Sequence, residues 1–188
     1  MDRRLRRSTA VTGTMSLTLP ASDTTLGLDF ESLYRGARDD VYAYVATLLR
    51  DRAAAEDVTA LAFERAFRKR RRYDARRGSE RAWLFGIARN AALDELRRRK
   101  RGAALAGEPA DTAAPAPDDE AERAVRRAAV RSALAGLAAR EREVIALKFH
   151  AGLDNAELAA VLGVSVSNAG TQLHRAMTKL REAVDDRA

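Results

Sequence analysis

The chain has 188 residues, 46% of them hydrophobic but only 5% aromatic, an alanine-rich balance that fits one or two small packed helical domains better than a large enzyme or a sheet protein. Lys plus Arg number 34 against 27 Asp plus Glu, a net charge of +7, which points to a polyanionic partner such as nucleic acid or an acidic membrane surface. No cysteine is present, so disulfides and thiolate metal sites are excluded and a reducing cytoplasm fits.

Residues 1–27 read as a disordered basic arm. Its opening "MDRRLRRSTAVTGTMSLTLPASD" mimics a signal peptide, with arginines, a mildly apolar stretch, then Ala21 and Ser22. The segment "VTGTMSLTL" is too rich in Thr, Ser and Gly to serve as an apolar core, so export is not expected. Met15 is an alternative start. No apolar run approaches the roughly 20 residues of a membrane span, so no membrane insertion is expected and the location expected is cytoplasmic.

Residues 28–101 hold three helical patterns. In "FESLYRGARDDVYAYVATLL" the side chains of Phe30, Leu33, Tyr34, Ala37, Val41, Tyr44, Val45 and Leu48 recur at steps of three and four, one apolar stripe. "AEDVTALAFERAFRKRRR" repeats the pattern with Val58, Leu61, Ala62 and Ala66, with Phe63 and Phe67 beside them. After the loop "YDARRGS", Ser79 is placed to cap "ERAWLFGIARNAALDELRRRKR", whose core side is Trp83, Leu84, Ile87, Ala91 and Leu96 or near neighbours. Three such stripes are buried only against one another. The five cations at 97–101 suit a helix C-terminus through its dipole, and a solvated basic end is the ordinary reading of such a run.

Residues 102–120, "GAALAGEPADTAAPAPDDE", carry no basic group and five acidic ones, between flanks with 19 basic against 12 acidic groups (29–101) and 11 against 8 (121–188). With Pro109, Pro115, Pro117 and small residues the segment buries little and reads as a flexible acidic linker.

The second block, 121–186, is helical in three or four pieces. "DEAERAVRRAAVRSALAGL" supplies Ala124, Val125, Ala128, Val130 and Leu134, and "AREREVIALKFH" follows and stops at Gly152. Asp154 and Glu157 have capping-box spacing before "NAELAAVL", which ends at Gly163. Ser165 or Ser167 caps a last helix that runs to about Val184. Small Ala159, the turn at Gly163, and Val164, Val166, Ala169 and Leu173 packing the last helix on its neighbour make a helix-turn-helix. That leaves Ser167, Asn168, Thr171, Gln172 and Arg175 as a hydrogen-bonding face of the kind that reads base edges. An ordinary helical hairpin is the competing reading of this segment alone.

"RAWLFGIARNAALDELRRRKR" together with "LAAREREVIALKFHAGLDNAELAAVLGVSVSNAGTQLHRAMTKLREA" resembles the extracytoplasmic-function (ECF) group of the sigma-70 family of bacterial RNA polymerase sigma factors. The resemblance implies an all-α protein of two small helical domains joined by a flexible linker: a sigma region 2 bundle over 28–101 and a sigma region 4 helix-turn-helix over 121–186. It implies that the first block binds core RNA polymerase at the β′ clamp helices through Asp57, Glu64 and Arg65. The same block would open the minus-10 promoter element, with Arg89, Asn90, Asp94, Arg97 and Arg98 at the duplex edge and the loop from Tyr73 to Ser79 receiving a flipped base. The second block would read the minus-35 element in the major groove with Ser165, Ser167, Asn168, Thr171, Gln172, His174, Arg175 and Lys179, and touch the β flap. Asp118, Asp119 and Glu120 would imitate nucleic acid near the RNA exit path, and an anti-sigma partner would cover both domains.

Relatives commonly carry Val-Lys-Ser-Arg where this chain has Ala169, Gly170, Thr171 and Gln172, so two cations are missing from the groove-facing turn. The expectation is that base reading passes to neutral Asn168, Thr171 and Gln172, with Gln suited to adenine. Phosphate attraction then falls to Arg175, Lys179 and Arg181, and Gly170 permits close backbone approach to DNA at a cost in helix stability. Ala60 and Leu61 likewise replace a common Gln-Glu pair, with Leu61 turned to packing. No cofactor and no enzymatic activity are expected, since there is no phosphate-binding glycine loop, no Ser-His-acid spacing and no metal cluster. A free-standing helix-turn-helix regulator is the alternative function, though it leaves the first block without a purpose.

Overall fold

The computed structural model describes residues 28–106 and 130–186; the basic arm, most of the acidic linker, and Ala124, Val125 and Ala128 lie outside the described residues. The order is α1 (Phe30–Leu49), α2 (Arg52–Lys69), two 3₁₀ turns (Arg70–Arg72 and Ala75–Arg77), α3 (Glu80–Ala106), a helical segment α4 described over 130–136, α5 (Ala139–His150), α6 (Asn155–Leu162) and α7 (Val166–Asp185). The described residues are all helix, turn or irregular chain.

Local chemistry starts α1, α2, α3, α6 and α7. Asp29 accepts from the Ser32 amide and Asp51 from the Ala54 amide, each satisfying a donor that the first turn leaves open. Ser79 accepts from the Ala82 amide at 3.2 Å. Asp154 and Glu157 form the reciprocal capping box at the start of α6, and Gly163 ends it in the left-handed conformation at φ 70°. Ser165 then caps α7 by accepting from the Asn168 amide.

The α1 stripe is buried at Leu33, Ala37, Val41, Tyr44, Val45 and Leu48, joined by Leu49, while Tyr34 stands at the surface. It packs on Ala55, Val58, Ala62, Phe63 and Ala66 of α2 and on Ala82, Leu84, Phe85, Ala88, Ala91 and Ala92 of α3. The buried face of α3 therefore runs through Phe85 and Ala88, with Trp83, Ile87 and Leu96 at its margin. Leu61 packs against the same core.

Several expectations need correction. Helix α3 passes Arg101 into the expected linker because Gly102 is followed by Ala103, Ala104, Leu105 and Ala106, mostly strong helix formers. The cations at 97–101 are consequently not at its C-terminus, and its last turn holds no basic residue. Val130 and Val166 are exposed; Ala133 and Leu137 are buried in the first of these segments, and Ala169 is buried as its spacing predicts.

The two helical blocks are packed together. One continuous core joins α1, α2 and α3 to Val144, Ala146, Leu147, Ala151, Leu153, Leu158, Ala159, Leu162 and Ala169, with α1 against α5 and α3 against α6. A smaller cluster of Leu137, Ile145 and Ala176 seats α7 on α5.

A Cβ built on Gly170 lies 3.9 Å from Asn155 Nδ2, so its missing side chain faces the seam with α6 and a methyl fits there. Gly170→Ala is expected to stabilise the fold by about 0.5–1 kcal/mol, since glycine in a helix interior costs that much relative to alanine. A thermal melt checks it, and a lowered Tm would show that the seam rejects the methyl.

Burial holds the His150 imidazole below its ordinary value, opposed by the nearby Asp40 carboxylate. With the folded value depressed, the unfolded chain takes up the proton first. Stability is then full above about pH 6.5 and falls as acidification passes the ordinary histidine value toward the folded one. Melts of wild type and His150→Gln between pH 7.5 and 5.5 should show a shallower acid slope in the variant.

Candidate nucleic-acid interface

Two surfaces carry the expected contacts. The first lies along α3 and the loop before it. Arg72, Tyr73, Arg77, Trp83, Ile87 and Asn90 line part of a groove of about 470 Å³, closed on one side by Ala160 and Val161 of α6. Tyr73 donates its hydroxyl to the Gly78 carbonyl at 3.2 Å and its ring sits 5.6 Å from Trp83, so the loop is held shut over an aromatic wall. Gly78, at φ 141°, makes a bend that L side chains rarely adopt. Asp74 caps the second 3₁₀ turn, and its hydrogen bond with Arg76 holds its carboxyl below the usual range.

Further along α3, Asn90 is exposed and open to a ligand. Asp94 accepts from Arg97 at 3.0 Å and from Arg65 of α2 at 3.4 Å. Glu95 gathers Arg98 and Arg99, which hold its carboxyl below the usual range, and Arg99 also reaches Asp51 at 2.8 Å. The basic run is thus partly neutralised in place by intrahelical pairs, of which the exposed Arg97–Asp94 pair contributes little.

Two expected contacts of this surface are engaged by the other block. Arg89 donates from Nε to Glu143 of α5 at 2.6 Å, with the two side chains 16% and 6% exposed. Ser79 hydrogen-bonds Glu157 of α6. Arg81, given no role by the sequence pattern, donates to Asp40, to the Gly36 carbonyl, and to the His150 and Ala151 carbonyls at the end of α5.

The second surface is α7. Ser165, Ser167, Asn168, Thr171, His174 and Arg175 are exposed along it. Gln172 is half-buried: its amide donates to Asn168 Oδ1 at 2.9 Å and accepts from Arg140 Nε at 3.1 Å. The Thr171 hydroxyl donates to the Ser167 carbonyl at 3.0 Å. Lys179 is paired with Glu141, whose carboxyl is held low by that hydrogen bond, while exposed Arg175 has no ion-pair partner among the described residues.

On α2, Asp57 and Glu64 face outward, Glu64 pairing with Arg68 at 2.7 Å, and Arg65 is tied to α3 through Asp94.

Residues 33–102 match the family described as Sigma-70 region 2, and residues 127–180 match the one described as Sigma-70, region 4. The chain is 32% identical over 142 residues to the ECF RNA polymerase sigma factor SigL of Mycobacterium tuberculosis, covering 75% of this chain and 80% of the relative. This chain is an ECF sigma factor of the sigma-70 family. The RNA polymerase sigma factor CarQ of Myxococcus xanthus is 35% identical over 161 residues, 84% of this sigma factor and 90% of CarQ. Among solved structures, the sigma factor RpoE in complex with the anti-sigma factor NepR from Bartonella quintana superposes with a TM-score of 0.72 at 24% identity, over 84% of this chain and 97% of that one. CnrH in complex with the cytosolic domain of CnrY gives 0.62 at 26% identity, over 85% and 89%.

An ECF sigma factor directs RNA polymerase in transcription initiation and is not itself an enzyme. The free-standing regulator is set aside, because both sigma regions match in order on one chain. No helix among the described residues is long and apolar enough to cross a membrane.

Proposed function

We propose that this sigma factor docks on the β′ clamp helices of core polymerase through the outward side of α2, with Asp57, Glu64 and Arg65. In this reading α3 and its preceding loop recognise and open the minus-10 element, and α7 reads the minus-35 element while its block meets the β flap. The boundaries that go with it are a first domain over 28–101, a linker over 102–120 and a second domain over 121–186.

The observation that carries the reading is the groove beside Asn90. It has an aromatic wall at Trp83 and Tyr73 and cations at Arg72 and Arg77, the combination that stacks an extruded base and holds its phosphates. Unstacking a base costs a few kcal/mol, and pocketing it offsets that cost. The polymerase carries out nucleotide transfer, while these side chains supply address and strand separation. An anti-sigma partner that keeps the two blocks together is part of the same proposal; the Bartonella structure is of a sigma factor in complex with an anti-sigma factor.

The test is run-off transcription by core polymerase reconstituted with the full chain on genomic fragments, with start sites mapped. Starts that share an upstream element pair support the reading. Failure to associate with core polymerase in the absence of inhibitors overturns it.

A further inference from the structure

A single unbroken line of polar contacts joins the two DNA surfaces. Gln172 Nε2 donates to Asn168 Oδ1 at 2.9 Å, Arg140 Nε donates to Gln172 Oε1 at 3.1 Å, an Arg140 guanidinium nitrogen donates to Glu143 Oε2 at 3.3 Å, and Arg89 Nε donates to Glu143 Oε1 at 2.6 Å. We infer that Glu143 and Arg140 are positioning residues that hold one contact of each surface, Arg89 and Gln172, out of use together, so that releasing Arg89 from Glu143 also frees Gln172 to read bases. The inference rests on the proposed roles of Arg89 and Gln172 as DNA contacts.

Charge and burial favour this reading. The Glu143 carboxylate is shared by two guanidiniums, so its loss leaves Arg89 and Arg140 as two cations at one partly desolvated site, where like charges repel strongly. While Arg89 is in the pair, it is unavailable to phosphate. On the other side, adenine recognition by Gln needs the amide acceptor and donor presented together to one base edge. Here the acceptor is turned to Arg140 and the donor to Asn168. A cation at 172 would face the Arg140 guanidinium, so the neutral amide at this position is what lets the line continue from α7 to α5.

The Tyr44 hydroxyl, buried among these groups, has no hydrogen-bond partner among the described residues, which costs the closed junction free energy. Burial and then the Glu143 charge push its ionisation up, against Arg89 and Arg140, so it stays a neutral phenol. A contact that binds DNA through either end of the line therefore weakens the other end's hold, and the coupling is reciprocal.

The cysteine-free chain allows dyes at Lys69→Cys on α2 and Asp185→Cys on α7, both exposed positions, to report closed and open molecules by energy transfer in the full-length protein. Glu143→Gln is expected to lower the closed-to-open ratio by about tenfold or more, since removing one partner of a buried pair strands the other. Gln172→Arg should shift the ratio the same way. Effects of Arg89→Ala and Gln172→Ala should be non-multiplicative in the wild-type background and multiplicative when Arg140→Ala, which leaves the Arg89 pair intact, cuts the line. An unchanged closed fraction in Glu143→Gln with helix content preserved overturns the inference, and so do multiplicative effects in the wild-type background. If Glu143→Gln loses helix content, the Arg140→Ala cycle decides alone. None of these readings uses polymerase, so failed run-off transcription would remove the proposed DNA roles and leave the measured coupling standing.

Discussion

Arg81→Ala is expected to cost about 2–3 kcal/mol of stability, the range for hydrogen bonds to a charged group when several are lost together. The guanidinium presents its N–H groups as a rigid planar fork, and here the fork is filled from two blocks. One nitrogen bonds both Asp40 Oδ2 at 2.7 Å and the His150 carbonyl at 2.9 Å, Nε takes the Ala151 carbonyl at 3.0 Å, and the remaining nitrogen reaches the Gly36 carbonyl at 3.2 Å. The His150 and Ala151 carbonyls lie where a helix runs out of internal donors, and a cation there also meets the favourable end of the dipole. Arg81 thus caps α5 of the second block from the first turn of α3. Its face lies 5.6 Å from the Phe85 ring centroid, within cation–π range. The Asp40 pair itself is about half exposed and is discounted accordingly; most of the loss comes from the carbonyls. Arg81→Lys should recover only part of it, because an ammonium cannot reproduce the fork. Denaturant unfolding gives the measurement. A variant within about 0.5 kcal/mol of wild type, the usual range for an inert surface change, would show that the Arg81 fork adds nothing net to the union of the blocks.

What the amino-acid order made legible follows from interactions that are short in sequence. The α1 stripe, the Asp154–Glu157 box and the Gly163 turn are set within three or four residues of themselves, and apart from Tyr34, which lies at the surface, each stands in the structure where its spacing puts it. Helix ends set by competition were less legible: the pattern placed the start of the linker at residue 102, but α3 runs on to Ala106. Val166 satisfied the period of a packing residue, yet α7 turns Ala169 and Leu173 inward and leaves it in solvent. The least legible feature was the union of the blocks. Arg89 and Glu143 each look like ordinary surface charges, and only the folded chain brings them to 2.6 Å. The charge bookkeeping that divides the chain into basic blocks and an acidic gap carries no information on which cation meets which anion.

Asn90→Ala is expected to lower promoter-dependent initiation by about 10- to 100-fold, the equivalent of the 1–3 kcal/mol that a well-formed side-chain contact to a base contributes. The position suits the test because Asn90 is exposed and borders the groove with Trp83, Ile87 and Tyr73. Removing its amide leaves the core contacts of Ala88, Ala91 and Ala92 in place, so the melting temperature should hold while transcription falls. Asn90 lies beside Arg89, which is occupied by Glu143 in the closed arrangement; the two therefore separate experimentally, one acting only once DNA arrives and the other also on closure. A template opened in advance across the minus-10 region sorts the mechanism. If Asn90 acts in separating the strands, pre-opening should restore most of the lost activity. If it reads an extruded base, the defect persists on the open template and varies with the base supplied at one position. An Asn90→Ala protein that initiates as well as wild type on closed duplex would remove the groove from the account of strand opening, leaving the arginines of α3 to act through phosphate attraction alone, with the strong salt dependence that such contacts bring.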